Sequence, residues 1–270
     1  MKKLGKIYTF LIYLFLYAPI FVLIFYSFNQ NRSTVNFTGF TFHWYIELFS
    51  NDTLLTLLKN TVIIAVLSSI TATVLGTMAA VGICKMKKRM RSLVLTVTNI
   101  PMTNPDIVTG VSLALLFVFI GSFMKQNNIL GFWTLLIAHI TFNLPYVILS
   151  VMPRLNQMDR NLTDAALDLG CTPLQSFFKI TMPEIMPGII SGLTMAFTLS
   201  LDDFVISYFV YGPSFSTLPI EIYSYTKKPM PPTIYALFTV MFIAILLLLF
   251  LMNFAGNRKS RKVNDKIKQM

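Results

Sequence analysis

The sequence predicts an all-α polytopic membrane protein with six transmembrane helices and both termini on the cytoplasmic side. Three observations carry this. Of the 270 residues, 55% are hydrophobic and only 12% are charged, about half the charged share of an ordinary soluble domain. Six stretches reach the roughly 20 apolar residues that a helix needs to cross a bilayer. The Lys and Arg residues fall in short clusters between those stretches, mostly on alternate loops.

The six stretches are approximately 7–28, 60–84, 93–123, 132–152, 188–211 and 234–254, within a single domain over 1–270. The first follows Lys2, Lys3 and Lys6, as the core of a signal peptide would. Its apolar run is too long for a signal core and no small-x-small cleavage site follows, so it reads as an uncleaved span. The loop 29–59 holds Phe42, Trp44, Tyr45, Leu48, Phe49, Leu54, Leu55 and Leu58. These read as one or two short helices, either lying at the membrane interface or capping the bundle, and the residues leave both readings open. Asn31, Asn36 and Asn51 each head a glycosylation triplet in this loop. Pro101 and Pro105 break the third stretch, and Asn104-Pro105-Asp106 reads as the cap, first and second positions of a restarted helix. The tail from Asn257 is polar and basic and reads as lacking a fixed fold. Cys84 and Cys171 imply no disulfide framework and read as packing residues.

Orientation follows from the cations. With the N-terminus inside, 17 of the 22 Lys and Arg lie inside. They are Lys2, Lys3, Lys6, Lys85, Lys87, Lys88, Arg89, Arg91, Arg154, Arg160, Lys179, Arg258, Lys259, Arg261, Lys262, Lys266 and Lys268. Arg32, Lys59, Lys125, Lys227 and Lys228 lie outside. That asymmetry is the positive-inside pattern. It accounts for the net charge of +11 without nucleic acid, for which there is no separate basic domain with stacking aromatics.

The inside loop 153–187 is far longer than a connector requires. Asn161 or Thr163 can cap a short helix through Asp164, Ala165, Ala166, Leu167, Asp168 and Leu169, with Asp164 in its first turn and Gly170 as a left-handed stop. Thr172-Pro173 reads as the cap and first position of a second helix that ends before Pro183.

Asp164-Ala165-Ala166, three residues, Gly170, nine residues, Ile180, one residue, then Met182-Pro183 resembles the EAA motif of permease subunits of bacterial ATP-driven (ABC) importers. Asp stands for the family's Glu and Met for its Leu. The resemblance implies a type I ABC importer permease fold. It gives Asp164, Ala165, Ala166, Gly170, Ile180 and Pro183 a role in docking the ATPase subunits and transmitting their motion. Two alanines suit a narrow helix face that approaches a groove closely. No G-x-x-x-x-G-K-[ST] run is present, so no phosphate-cradling loop. The chain therefore reads as a transport subunit and not an enzyme, with no cofactor of its own and with ATP and Mg on the partner.

Three acids fall within the spans, Asp106, Asp202 and Asp203, with no Lys or Arg beside them there. A central Asp costs near ~3 kcal/mol on insertion, and such residues usually face a cavity or a partner. Counted from the inside edges of the third and fifth spans, Asp106 and Asp202 both lie about 21 Å deep, which suggests one shared negative zone for a cation. Asp106 can equally be a structural helix start, whereas Asp202 and Asp203 lack that explanation and otherwise would pair with a partner subunit. His43 and His139 have no metal-ligand spacing, and His139 reads as a hydrogen-bonded interior residue.

The stretch from Phe197 to Pro213, with Thr217-Leu218-Pro219-Ile220-Glu221-Ile222-Tyr223 and Pro105-Asp106-Ile107-Val108-Thr109-Gly110, resembles spermidine/putrescine importer permeases, most nearly those called the C subunit. The resemblance implies a polyamine cargo. Carboxylates would bind the amines, and Phe204, Tyr208, Phe209 and Tyr211 would cover the methylenes and add cation–π attraction. It also implies a bacterial inner-membrane location, a second permease, a pair of ATPase subunits and an extracytoplasmic polyamine-binding protein. Two other readings are an importer of another small solute and a stand-alone proton-coupled carrier, which leaves the long loop unexplained.

Overall fold

The computed structural model describes residues 2–31, 36–125, 129–225 and 230–267. Arg32, Lys227, Lys228 and Lys268 of the charge count, and the rest of the Asn31 triplet, lie outside them. Among the described residues the backbone is helical, and β pairing is confined to two isolated bridges, Asn29 with Phe40 and Gly212 with Phe215. Six helices there are long and apolar enough to cross a membrane. The chain divides into two units, one of Met1–Thr56 with Ile222–Phe250, the other of Leu57–Glu221 with Leu251–Met270.

In the first unit, α1 (Lys2–Tyr26) is exposed along its apolar length, as suits a helix solvated by lipid. The loop after it folds on its own aromatics. Phe28 stacks on Phe40 at 4.8 Å and on Tyr45 at 5.1 Å, and meets Phe42 edge-on at 5.5 Å. The Trp44 indole N–H donates to the Asn29 carbonyl at 2.7 Å, from one short helix, α2 (His43–Phe49). With Trp44 and Leu48 buried and Ile46 and Phe49 exposed, α2 packs back toward the end of α1. Asn51, head of a triplet, accepts from the Leu54 N–H and so starts α3 (Asp52–Cys84). Leu54, Leu55 and Leu58 thus belong to the second span, which begins eight residues before the expected 60. The last span, α12 (Pro232–Ile267), also overruns, continuing through the basic tail that read as unstructured. Arg and Lys are good helix formers and no Pro follows to stop them.

In the second unit the third stretch is two helices, α4 (Lys88–Thr103) and α5 (Asp106–Phe123). Only α5 is apolar enough to span, and its 18 residues measure about 27 Å. Asn104 ends α4 through its N–H to the Ile100 carbonyl, and Pro105 precedes the first residue of α5. The break sits where the prolines predict, but Asn104 closes the earlier helix and does not cap the later one.

The fourth span, α6 (Phe132–Gln157), runs through Pro145 and Pro153 and takes five residues of the expected loop. After α7 (Arg160–Asp168), α8 (Pro173–Ser176) continues through a π-helical turn, Phe177–Thr181, into α9 (Met182–Asp202). The helix expected to end before Pro183 does not. Pro183 has no N–H and its ring crowds the carbonyl four residues back, and the wider π turn just ahead absorbs the defect. The fifth span is instead interrupted at Asp203–Phe204 and resumes as α10 (Val205–Val210), so the continuous helix expected over 188–211 is two. The chain then turns at Gly212–Phe215 and enters α11 (Leu218–Ser224).

Close crossings set this unit's core. An added Cβ on Gly188 would sit 2.9 Å from the Ser150 carbonyl oxygen, and one on Gly76 would sit 2.7 Å from Val147. α6 is thereby pressed against α9 and α3, with Val147, Val151, Ile185 and Ala196 buried between them. The Thr61 hydroxyl accepts from the Leu218 N–H and the Asn60 amide donates to the Ser216 carbonyl, which fixes the segment beyond α10 to α3.

Candidate functional site

The break in the fifth span has a local cause. Asp203 turns its carboxylate onto the start of α10, where Oδ2 accepts from the Ser207 N–H and hydroxyl at 2.8 Å each and Oδ1 from the Ile206 N–H at 3.3 Å. Capping of this kind is worth about 1 kcal/mol, and the carboxylate opposes the positive end of the helix dipole. Asp203 therefore has the structural explanation that the sequence reading denied it.

It also has a neighbour. His139, 2% exposed, bonds to the Ser200 hydroxyl at 2.5 Å through Nδ1 and to the Ser207 hydroxyl at 2.9 Å through Nε2. Ser200 in turn meets Ser68 at 2.9 Å. A polar chain thus runs Ser68, Ser200, His139, Ser207, Asp203 through the apolar unit, and both sides of the break at Asp203 are tied to α6. Paired interior groups of this kind avoid the penalty of lone buried polar atoms. His139 is the interior hydrogen-bonded residue expected of it.

The two helix starts lie side by side. An added Cβ on Gly110 would meet the Phe209 ring at 2.9 Å and the Ile206 Cα at 3.3 Å, so α5 and α10 pack closely there. Both run antiparallel to α6. Thr134, at the start of α6, bonds the Val210 carbonyl at the end of α10, and Phe117 late in α5 packs with Leu135. α5 and α10 are therefore parallel. Asp106 lies four residues before Gly110 and Asp203 three before Ile206, so these two acids stand at neighbouring helix starts, whereas the pair expected at one depth was Asp106 with Asp202. The juxtaposition comes from two adjacent helix breaks, of which only the one in the third span was expected.

The acids differ in what they face. Asp203 is turned inward, its side chain 8% exposed, whereas Asp106 and Asp202 are exposed. The rings beyond Asp202 form a row, Phe204 to Tyr208 at 5.4 Å and Tyr208 to Tyr211 at 6.1 Å. Tyr208 and Tyr211 are exposed. Phe209, by contrast, fills the contact with Gly110 and is a packing residue.

The second site is α7. Its cap is Asp159, whose side chain accepts from the Asn161 N–H at 3.0 Å, in place of the expected Asn161 or Thr163. Asp164 therefore lies beyond the first turn. The stop is a full Schellman motif. Gly170 adopts φ +84°, its N–H donates to the Leu167 carbonyl, and the Cys171 N–H donates to the Ala166 carbonyl. Thr172 and Gln175 then form a reciprocal capping box that starts α8. Ala166 is buried and Asp164, Ala165 and Gly170 are exposed, so only one of the two alanines lies on the open face. Ile180 is half-buried within the π turn and Pro183 is exposed just past it. Sequence reasoning missed Leu169, 86% exposed, and Leu174, 72% exposed. The signal available was a leucine directly before the Gly170 stop, where nothing of the chain can cover it.

The chain is similar to known transport proteins. A family model described as "Binding-protein-dependent transport system inner membrane component" matches residues 72–263. The chain is 39% identical over 248 residues to a Haemophilus influenzae protein named spermidine/putrescine transport system permease protein PotC, covering 92% of this chain and 94% of that one. It is 40% identical over 232 residues to the Escherichia coli putrescine transport system permease protein PotI, covering 86% and 83%. Among solved structures, a bacterial ABC transporter involved in the import of the acidic polysaccharide alginate superposes with TM-score 0.74 at 17% identity, over 95% of this chain and 96% of that one. The MetNI methionine ABC transporter gives 0.59 at 18%, over 79% and 99%. The fold is that of type I ABC importer permeases.

Proposed function

Since the chain belongs to the family of binding-protein-dependent transport system inner membrane components, we propose that it is the permease subunit of an ATP-driven polyamine importer. It is a multi-pass protein of the bacterial inner membrane. The observation that carries the cargo is the exposed Asp202 with the Phe204, Tyr208 and Tyr211 row behind it, in a chain 39% identical to a permease named for spermidine and putrescine. A polyamine is a linear cation with amines spaced along methylenes. Asp202 and Asp106 supply charge for the amines, and the tyrosines supply faces for the methylenes. Asp203 holds the fifth-span break open and positions Asp202.

Both termini and α7 lie in the cytoplasm in this reading, supported by the distribution of Lys and Arg. There the corner formed by α7 and α8 presents Ala165, Leu169 and Leu174 to a groove on the ATPase subunit, which binds the ATP and Mg. A second permease completes the path, and an extracytoplasmic binding protein delivers the polyamine. A bacterial alginate ABC transporter was also solved in complex with an alginate pentasaccharide-bound periplasmic protein.

The test is uptake by proteoliposomes containing the whole complex, with labelled spermidine and putrescine, with and without ATP. ATP-dependent uptake of either polyamine is expected. Uptake without ATP, or none of either polyamine while ATP is hydrolysed, overturns the reading.

A further inference from the structure

A cleft of about 990 Å³ opens where the C-terminal end of α3, the first turns of α4, the end of α6 and the α7–α8 corner meet. Its walls are mixed. Val81, Leu95, Leu155 and Phe177 give it an apolar side. Lys85, Lys88 and Arg91 give it three cations, against the single carboxylate of Asp164. Arg91 is braced against α6 by a hydrogen bond to the Asn156 side chain.

Two independent features make the wall of the cleft receptive to a polar group. Ser176 is fully buried, yet its hydroxyl has no hydrogen-bond partner among the described residues, and the buried Thr163 hydroxyl has none either. Both line this cleft. A buried polar group left alone is costly, and native structures rarely keep one without a water or ligand to satisfy it. In addition, α4 begins at Lys88 with no acidic residue in its first turn and no side-chain cap. Its opening N–H groups remain available to an anion.

We propose that the cleft binds the phosphate of an anionic membrane phospholipid. The headgroup phosphate sits between Lys85, Lys88 and the start of α4, with the Ser176 and Thr163 hydroxyls as further donors. An acyl chain follows the apolar side. A free phosphate offers the same charge but leaves that side and most of the volume unfilled. The position fits, because the cleft lies at the ends of the apolar helices α3 and α6, and cationic clefts between spans are natural acceptors for such headgroups. The proposal does not depend on which solute is carried. It places a lipid against the inner side of α7, opposite the exposed Ala165 and Leu169, so that lipid composition bears on the position of that helix.

Cys84 lines the cleft and is a free thiol, which gives a direct probe. The full complex carrying Cys171→Ser is delipidated in neutral detergent. The rate of maleimide addition to Cys84 is then read from its peptide by mass spectrometry, with phosphatidylglycerol, phosphatidylcholine or glycerol 3-phosphate added. Phosphatidylglycerol is expected to slow labelling, and the other two at equal concentration are not. The pair Lys85→Gln and Lys88→Gln should raise the concentration needed by roughly 30-fold. Ser176→Ala should raise it several-fold and tests the site should the double variant fail to assemble. Equal protection by phosphatidylcholine, or unchanged protection in both variants, overturns the site. Equal protection by glycerol 3-phosphate overturns the lipid and leaves a soluble phosphate ester as the occupant.

Discussion

The Nε2 of His139 stands 3.5 Å from Oδ2 of Asp203, with the Ser207 hydroxyl bonded to both. One imidazole on α6 thereby fastens the start of α10, and the break in the fifth span is a built feature. Replacing His139 by Leu removes one hydrogen bond each from Ser200 and Ser207 and the nearby imidazole from Asp203, leaving Ser200 only Ser68 and Ser207 only Asp203 as partners. A loss of about 2 kcal/mol is expected, seen as a lower melting temperature of the purified protein. Ser207→Ala, which keeps the imidazole, should cost about half as much. Equal melting temperatures for wild type and both variants would falsify a fastening role.

Asp202 and Asp203 are neighbours with different tasks, so their amides should separate. Asp203→Asn weakens the start of α10 and lowers stability by about 1 kcal/mol. Asp202→Asn leaves stability unchanged and lowers polyamine uptake at least about tenfold, the scale of one lost charge-assisted contact. Melting curves beside uptake rates check both. If Asp202→Asn transports normally, Asp202 is not on the cation path.

Gly170 carries φ +84°, a region where a Cβ costs about 1 kcal/mol. No neighbour lies within 4 Å of an added Cβ, so Gly170→Ala should leave the spans intact and disturb only the turn between α7 and α8. The expected outcome is ATP hydrolysis poorly coupled to uptake. A wild-type ratio of polyamine moved to ATP consumed counts against a coupling role for this turn.

Leu169 is exposed at the corner of α7. Truncation to Ala removes little buried area within the chain, so thermal stability should stay level. Co-purification of the ATPase subunit should fall by about tenfold, in line with losing one well-packed apolar anchor. Full recovery of the ATPase with Leu169→Ala assigns docking to another face.

Gly212 and Gly188 mark close approaches of very different tolerance. An added Cβ on Gly212 would stand 2.0 Å from the Leu130 carbonyl oxygen, and one on Gly188 would stand 2.9 Å from that of Ser150. Backbone obstructs both. Gly212→Ala should abolish stable expression, whereas Gly188→Ala should survive with a loss of about 1–3 kcal/mol. Comparable yields of Gly212→Ala and wild type contradict the packing of the turn after α10 on residues 130–131.

The number of spans was legible because lipid solvation selects on hydropathy, which composition records directly. The break in the third span was legible because Pro101 and Pro105 announce it in backbone chemistry. The break in the fifth was not, since Leu201-Asp202-Asp203-Phe204-Val205 contains no breaker. It depends on where a side chain reaches, and on His139 some 60 residues away in sequence. Helix ends were misplaced at Met152 and Pro183 because proline reads as a stop, while packing against α3 and α9, or a π turn, tolerates it. The α7 stop was legible to the residue, because a left-handed position has few occupants other than Gly. Its cap was not, since Asp159, Asn161 and Thr163 are all chemically competent and only chain direction selects among them.

From Pro173 to Asp202 the backbone is one helical rod of 30 residues, about 45 Å long. One end adjoins the Gly170 corner and the other ends at the Asp203 break. Such a member is a lever. A tilt imposed at the α7 corner is not dissipated along the way, save for what the π turn at Phe177–Thr181 yields. In the proposed coupling it would reach Asp202 as a swing of that side chain, past the close approach of Gly188 to Ser150. The stiffness of the π turn then sets the mechanical gain between the two ends, and that quantity is open to tuning by substitutions far from both sites.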